Sequence, residues 1–165
     1  MIKKILLILA VCLPSIAFAQ GKFAVVDAET VFNAMPEREA AQKQIETASK
    51  TYEDELMKLR EEMDKKYQEY QSLAADTPES IKERRIQEVQ ELNTRIQEFY
   101  EKAQQDLARQ QEALLAPIQT KLQEAIKKVG ANGGFTLVLP NTVPFYYGSD
   151  VTDVTSLVKA ELGIK

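Results

Sequence analysis

Between Gly21 and Gly130 the chain has no glycine at all, and its other four glycines stand at 133, 134, 148 and 163. A stretch of that length without the residue that punctuates turns predicts long helices in the middle and non-helical ends. The apolar pattern agrees. From Ala41 through Ile45, Ala48, Tyr52, Leu56, Leu59, Met63, Tyr67 and Tyr70 to Ala74 the apolar positions advance by threes and fours, averaging 3.67 residues. That is an eleven-residue repeat, which keeps a long helix almost straight instead of winding it into a left-handed heptad coil. A second run, Val89 to Leu107 and then Leu114 to Val129, repeats the theme, with a polar layer at Gln110 and Gln111. Between the runs lies Ala75-Asp76-Thr77-Pro78-Glu79, with Asp76 and Thr77 as capping candidates and Pro at a helix start. So short a link forces the two helices antiparallel.

Acid-first pairs four residues apart recur along both runs: Glu39/Lys43, Glu46/Lys50, Asp54/Lys58, Glu61/Lys65, Glu62/Lys66, Glu91/Arg95, Glu98/Lys102 and Glu124/Lys128. Each is expected to support an exposed helix by about 0.2–0.5 kcal/mol. Pro117 lies inside the second run and removes a backbone donor, so a kink and a hinge are expected there.

The ends read differently. Phe23 to Asp27 is a short run of strand type, apolar on both faces at Ala24, Val25 and Val26, followed by a short helix over 28–34, with Pro36 opening the first long helix. Phe135 to Leu139 and Val143 to Tyr147 are expected strands joined by a turn, and Pro144 confines the second to an edge. A last helix over 155–162 takes Asp150, Asp153 or Thr155 as its cap. The fold class is therefore α+β. Residues 36–129 form a helical hairpin arm, and 20–35 with 130–165 form a small body. That body is too small for a lone stable core, and its strands are apolar on both faces, so it is expected to be completed by further copies of the chain.

Residues 1–19 read as a cleaved secretory signal: Lys3 and Lys4, an apolar run over 5–13, and Ala17-Phe18-Ala19 as the cleavage site. The apolar run is too short for a bilayer span, so no integral membrane segment is expected in the mature chain. Its removal also takes Cys12, leaving no thiol and 19 basic against 25 acidic residues. The acidic balance argues against nucleic acid. Histidine is absent altogether, which excludes Ser-His or Cys-His nucleophiles and histidine metal sites. Asp150 and Asp153 are the only compact carboxylates outside the helices, and turn or cap roles account for them, so no enzyme, metal or cofactor is expected.

The order of these pieces is distinctive. A signal peptide, K-F-A-V-V-D with Val31-Phe32 following, a charged hairpin, F-T-L-V-L-P and Tyr147-Gly148-Ser149-Asp150-Val151-Thr152-Asp153-Val154-Thr155 resemble the Skp/OmpH family of periplasmic chaperones. The resemblance implies a trimer with a small β-barrel body shared between subunits and three helical arms around a cavity. It implies an ATP-independent periplasmic holdase for unfolded outer-membrane proteins, with no cofactor. On that reading Phe23, Val25, Phe32, Leu137, Leu139 and Phe145 serve oligomerisation, and Tyr52, Tyr67, Tyr70, Phe99 and Tyr100 are the client-binding candidates. The acidic charge sets the chain apart from basic relatives and argues against attraction to lipopolysaccharide or an acidic membrane surface. The competing reading is a structural coiled-coil adaptor of the envelope with one fixed partner.

Overall fold

The computed structural model describes residues 21–164. The expected signal peptide lies outside the described residues. The elements run β1 (Phe23–Val26), α1 (Ala28–Asn33), α2 (Pro36–Gln71), α3 (Glu79–Asn132), β2 (Leu137–Pro140), β3 (Thr152–Asp153) and α4 (Thr155–Glu161). At 1.5 Å per residue the 36 residues of α2 and 54 of α3 are about 54 and 81 Å long. They pack antiparallel: cross-helix partners fall from 121 to 106 to 88 as the α2 number rises from 37 to 52 to 66.

Pro36 is at the start of α2, where its missing N–H costs nothing. Neither Asp76 nor Thr77 caps α3; Pro78 occupies the cap position, before the first helical residue. Helix α3 continues unbroken through Pro117 and past Gly130, so its last three turns belong to the body. Two glycines then end the body's helices. Gly134 (φ +64°) follows α3, with the Phe135 N–H donating to Gly130 O and the Gly134 N–H to Ala131 O. Gly163 (φ +71°) follows α4 with the same pair of bonds to Lys159 O and Ala160 O. Both are Schellman stops, which need the left-handed conformation that glycine adopts without strain.

The sheet is all parallel, in the order β2-β1-β3. Expectation and structure part company at three points here. Phe135 and Thr136 fall outside β2, because the α3 stop still uses the Phe135 N–H and the Lys22 ammonium sits 4.3 Å over the Phe135 ring. Val143 to Tyr147 is not a strand: both edges of β1 are already taken, by β2 and by β3, and Pro144 lacks a ladder donor. The third strand is instead the two-residue β3, read from the sequence as turn and cap.

One apolar core joins the body to the arm's root. Ala24 and Val26 of β1, Val31, Met35, Ala41, and Ile118, Leu122, Ala125 and Val129 of α3 pack with Val154 and Val158. Strand β1 was expected to need a neighbouring copy to cover it. It does not: Ala24, Val25 and Val26 are all buried within one chain, Ala24 and Val26 in the core to which α3 contributes Ile118, Leu122, Ala125 and Val129. Gly130 allows α3 to approach β2, since a Cβ there would stand 3.3 Å from Val138 Cγ2. Polar ties close the body. The Asp27 carboxylate accepts from Thr30 N and Oγ1, capping α1, and is held below the usual carboxylate range chiefly by that backbone N–H. Asp153 Oδ1 accepts from Thr155 N, but the cap position of α4 is Val154, which has no side-chain cap bond, so none of Asp150, Asp153 and Thr155 is the cap expected from the sequence. Above the root the hairpin seam is thin, with Leu59, Leu92 and Ala103 its buried residues.

Candidate functional site

The aromatic candidates of the arm fall into two groups. Tyr52 of α2 and Phe99 of α3 meet across the seam, ring centroids 6.1 Å apart and nearly edge-on at 60°. The Tyr52 hydroxyl donates to Asp106 Oδ2 at 3.3 Å, and Arg109 pairs with the other carboxylate oxygen. This places Tyr52 and Phe99 half-buried as seam residues. Their one-turn neighbours Leu56, Ala103 and Leu107 complete an open groove whose outer wall is Tyr100, 52 % exposed, its hydroxyl accepting from Gln104 Nε2 at 2.7 Å. Tyr67 (46 % exposed) and Tyr70 lie about three turns farther out, near the tip, and do not join that groove. Asp106 escaped the sequence reading, although its position seven residues beyond Phe99 puts it on the same helix face.

Polar ties clasp the hairpin at both ends. At the root, Glu37 of α2 pairs with Lys121 of α3, and this hydrogen bond holds the Glu37 carboxyl below its ordinary range. Near the tip, Glu88 gathers Arg85 at 2.8 Å, Arg84 at 3.4 Å and Lys66 of the opposite helix at 3.6 Å. Its carboxyl is lowered, most by the Arg85 hydrogen bond. Of the eight expected acid-first pairs only Glu39/Lys43 forms among the described residues, at 2.6 Å. Lys58 turns to Glu55, Lys66 to Glu69 and Glu88, and Lys128 to Glu161 of α4. The gain from a solvated pair is too small to outweigh a nearer or tertiary partner.

The body carries the second exposed apolar surface. Phe145 is fully exposed, Tyr146 86 % and Val143 59 %, in the irregular segment before β3; Phe23 and Leu137, paired in register on β1 and β2, are each nearly half exposed. Strand β2 is hydrogen-bonded on one side only. Of the other body candidates, Leu139 is half-buried, Phe32 packs against the core and Val25 is fully buried in its own chain. Among the described residues no cluster of three acidic, histidine or cysteine side chains could hold a metal, and no helix is long and apolar enough to cross a membrane.

The hairpin thus offers open grooves with apolar walls. The chain belongs to the OmpH-like outer membrane protein family, whose model matches residues 22–162. Among its relatives are chaperone proteins named Skp. That of Photorhabdus laumondii is 30 % identical over 146 residues, covering 87 % of each chain. The Skp of Escherichia coli K12 is 27 % identical over 151 residues, with 90 % of each covered, and that of Salmonella typhimurium 27 % over 143 residues, with 85 % of each. These relatives are chaperones, not enzymes.

Proposed function

We propose that the protein is an ATP-independent holdase chaperone of the periplasm. On this reading three copies share a barrel-like body, and their arms enclose a cavity in which unfolded outer-membrane proteins are kept from aggregating. The observation that carries the proposal is the surplus of apolar surface at two separate places: the Phe145–Tyr146 segment with the Phe23/Leu137 edge on the body, and the Tyr100 groove on the arm. Contiguous exposed apolar surface of this kind marks interaction sites. The body surface suits other copies of the chain, because an open strand edge stands beside it. The arm surface suits clients, because it is small and open and can give only weak contacts, which many copies of the contact make collectively strong.

Phe23, Leu137, Leu139 and Phe145 are proposed to contact neighbouring copies directly, with Val25 and Phe32 supporting them from inside the body. Tyr100, Tyr67 and Tyr70 are proposed to contact client, while Tyr52 and Phe99 shape the groove behind Tyr100. Pro117, with Thr120 Oγ1 donating to Ala116 O at 3.0 Å in the same turn, is proposed as the hinge on which the arm adjusts. Export by cleavage after Ala19 accounts for the compartment.

The test is light scattering. A urea-unfolded outer-membrane β-barrel diluted into detergent-free buffer should stay clear when the protein is present at stoichiometric amounts without nucleotide. Unchanged scattering would remove the holdase reading, and recovery of one dominant partner on pull-down would replace it with an adaptor.

A further inference from the structure

Two stripes along α3 differ sharply in charge. One, starting at Glu91, continues through Arg95, Glu98, Lys102, Asp106 and Arg109, so that every position is charged and the sign alternates. The other, about 150° around the helix at 100° per residue, is uncharged over 27 residues, or roughly 40 Å. Its amides are Asn93, Gln97, Gln104, Gln111 and Gln119, all exposed. Tyr100, Ala108 and Leu115 fill the places between them at three- and four-residue spacing. Two separate grooves open on this stripe: one where Tyr100 and Gln104 face Leu56 across the seam, and one formed by Ala108, Gln111, Leu115 and Gln119. Carboxylates mark their rims, Glu53 at the first and Glu112 at the second.

We infer that this uncharged amide stripe of α3 is the surface along which the arm holds an extended stretch of unfolded polypeptide. The assignment rests on the holdase reading and specifies it. An unfolded chain offers neutral peptide dipoles, each a donor or an acceptor, and a glutamine or asparagine side chain supplies both partners without demanding any particular sequence. A fixed charge would select for opposite charge, and a continuous apolar stripe would hold too tightly to release. A second copy of α3 is the poorer occupant, because Ala108 and Leu115 are too little apolar surface for a helix–helix seam, which needs apolar residues at every third or fourth position. The length fits as well: roughly 40 Å accommodates about twelve residues of extended chain.

The mature sequence has no cysteine, so a single introduced thiol can carry a photo-cross-linker at a unique place. Full-length arms bearing Gln111→Cys or Lys102→Cys, each labelled with benzophenone maleimide, would be mixed with a urea-unfolded outer-membrane β-barrel and irradiated. Position 111 should capture the barrel at least fivefold more than position 102. Equal capture, stronger capture from 102, or arm-to-arm products from 111 without client would overturn the assignment. A second variant, Gln104→Glu with Gln111→Glu and Gln119→Glu, should weaken capture by tenfold or more while its circular dichroism stays helical; capture within twofold of the parent would also overturn it. If the parent protein itself fails to suppress aggregation, the holdase reading fails; if it succeeds while 111 and 102 cross-link alike, only the stripe assignment does.

Discussion

The body and the arm are held together by different means. In the body, eleven side chains, nine from five elements and two, Met35 and Val154, from the links between them, form one core, and Val31, Val154 and Val158 have no exposed surface at all. Beyond that root, α2 and α3 run on with only Leu59, Leu92 and Ala103 buried between them. There the helices rest mostly on their own backbone hydrogen bonds, with polar clasps at Tyr52–Asp106 and Lys66–Glu88. The difference teaches that the arm's root is part of the body's core, whereas the limb beyond it has little core of its own.

If that contrast is right, the same truncation should cost more at the root than in the arm. Leu122→Ala empties a site inside the body's core and should lower stability by about 2–4 kcal/mol in urea unfolding. Leu92→Ala, whose surroundings can close up, should stay at or below about 2 kcal/mol. Equal losses would erase the distinction. A smaller loss, about 1–3 kcal/mol, is expected for Gly133→Ala, because a Cβ there would lie 2.3 Å from the Phe135 ring and push it off Lys22. Pro117→Ala restores a backbone donor in α3. It should narrow the distribution of spin-label distances between arm tip and body, and an unchanged width would take the hinge away from Pro117.

Acid should act on the clasps. Asp27, Glu37 and Glu88 all have lowered carboxyl pKa values in the folded protein, so the stability they supply is full above the ordinary carboxylate range. It is lost as pH falls through their depressed folded values. With no histidine to titrate, the melting temperature should be flat from about pH 6 to 8 and fall below about pH 4. Glu37→Gln should flatten part of that fall, and a step near pH 6.5 would contradict the scheme. The smallest effect belongs to Glu39→Gln, which removes the single expected surface pair that forms and should leave the urea midpoint unchanged.

The arm was the legible part of the sequence. The absence of glycine and Pro36 at a helix start are local signals that the structure follows, and the seam repeating every 3.67 residues holds from Ala41 to Met63 but lapses at Tyr67 and Ala74, which are exposed. The body was less legible because its pairing is non-local. Nothing in Thr152-Asp153 marks a strand until β1 is there to pair with it, and Val143–Tyr147 has strand-forming residues yet leaves the outer edge of β2 unpaired, Pro144 lacking a ladder donor. The covering of β1 was misjudged for a related reason: the extension of α3 past Gly130 depends on how closely Val138 can approach, which no spacing in the sequence discloses. At the arm site, the candidates Tyr52 and Phe99 meet edge-on across two helices, a contact that hides much of both and leaves Tyr100 as the exposed member.

The central claim is that a body well packed inside still offers Phe23, Leu137, Phe145 and Tyr146 to neighbouring copies. Sedimentation of the mature protein in dilute solution tests it most directly. Three times the mass of one chain, reduced by Leu137→Asp with Phe145→Asp while helicity persists, is the expected result; a single-chain mass for the parent protein, with the same helical signal, would contradict it.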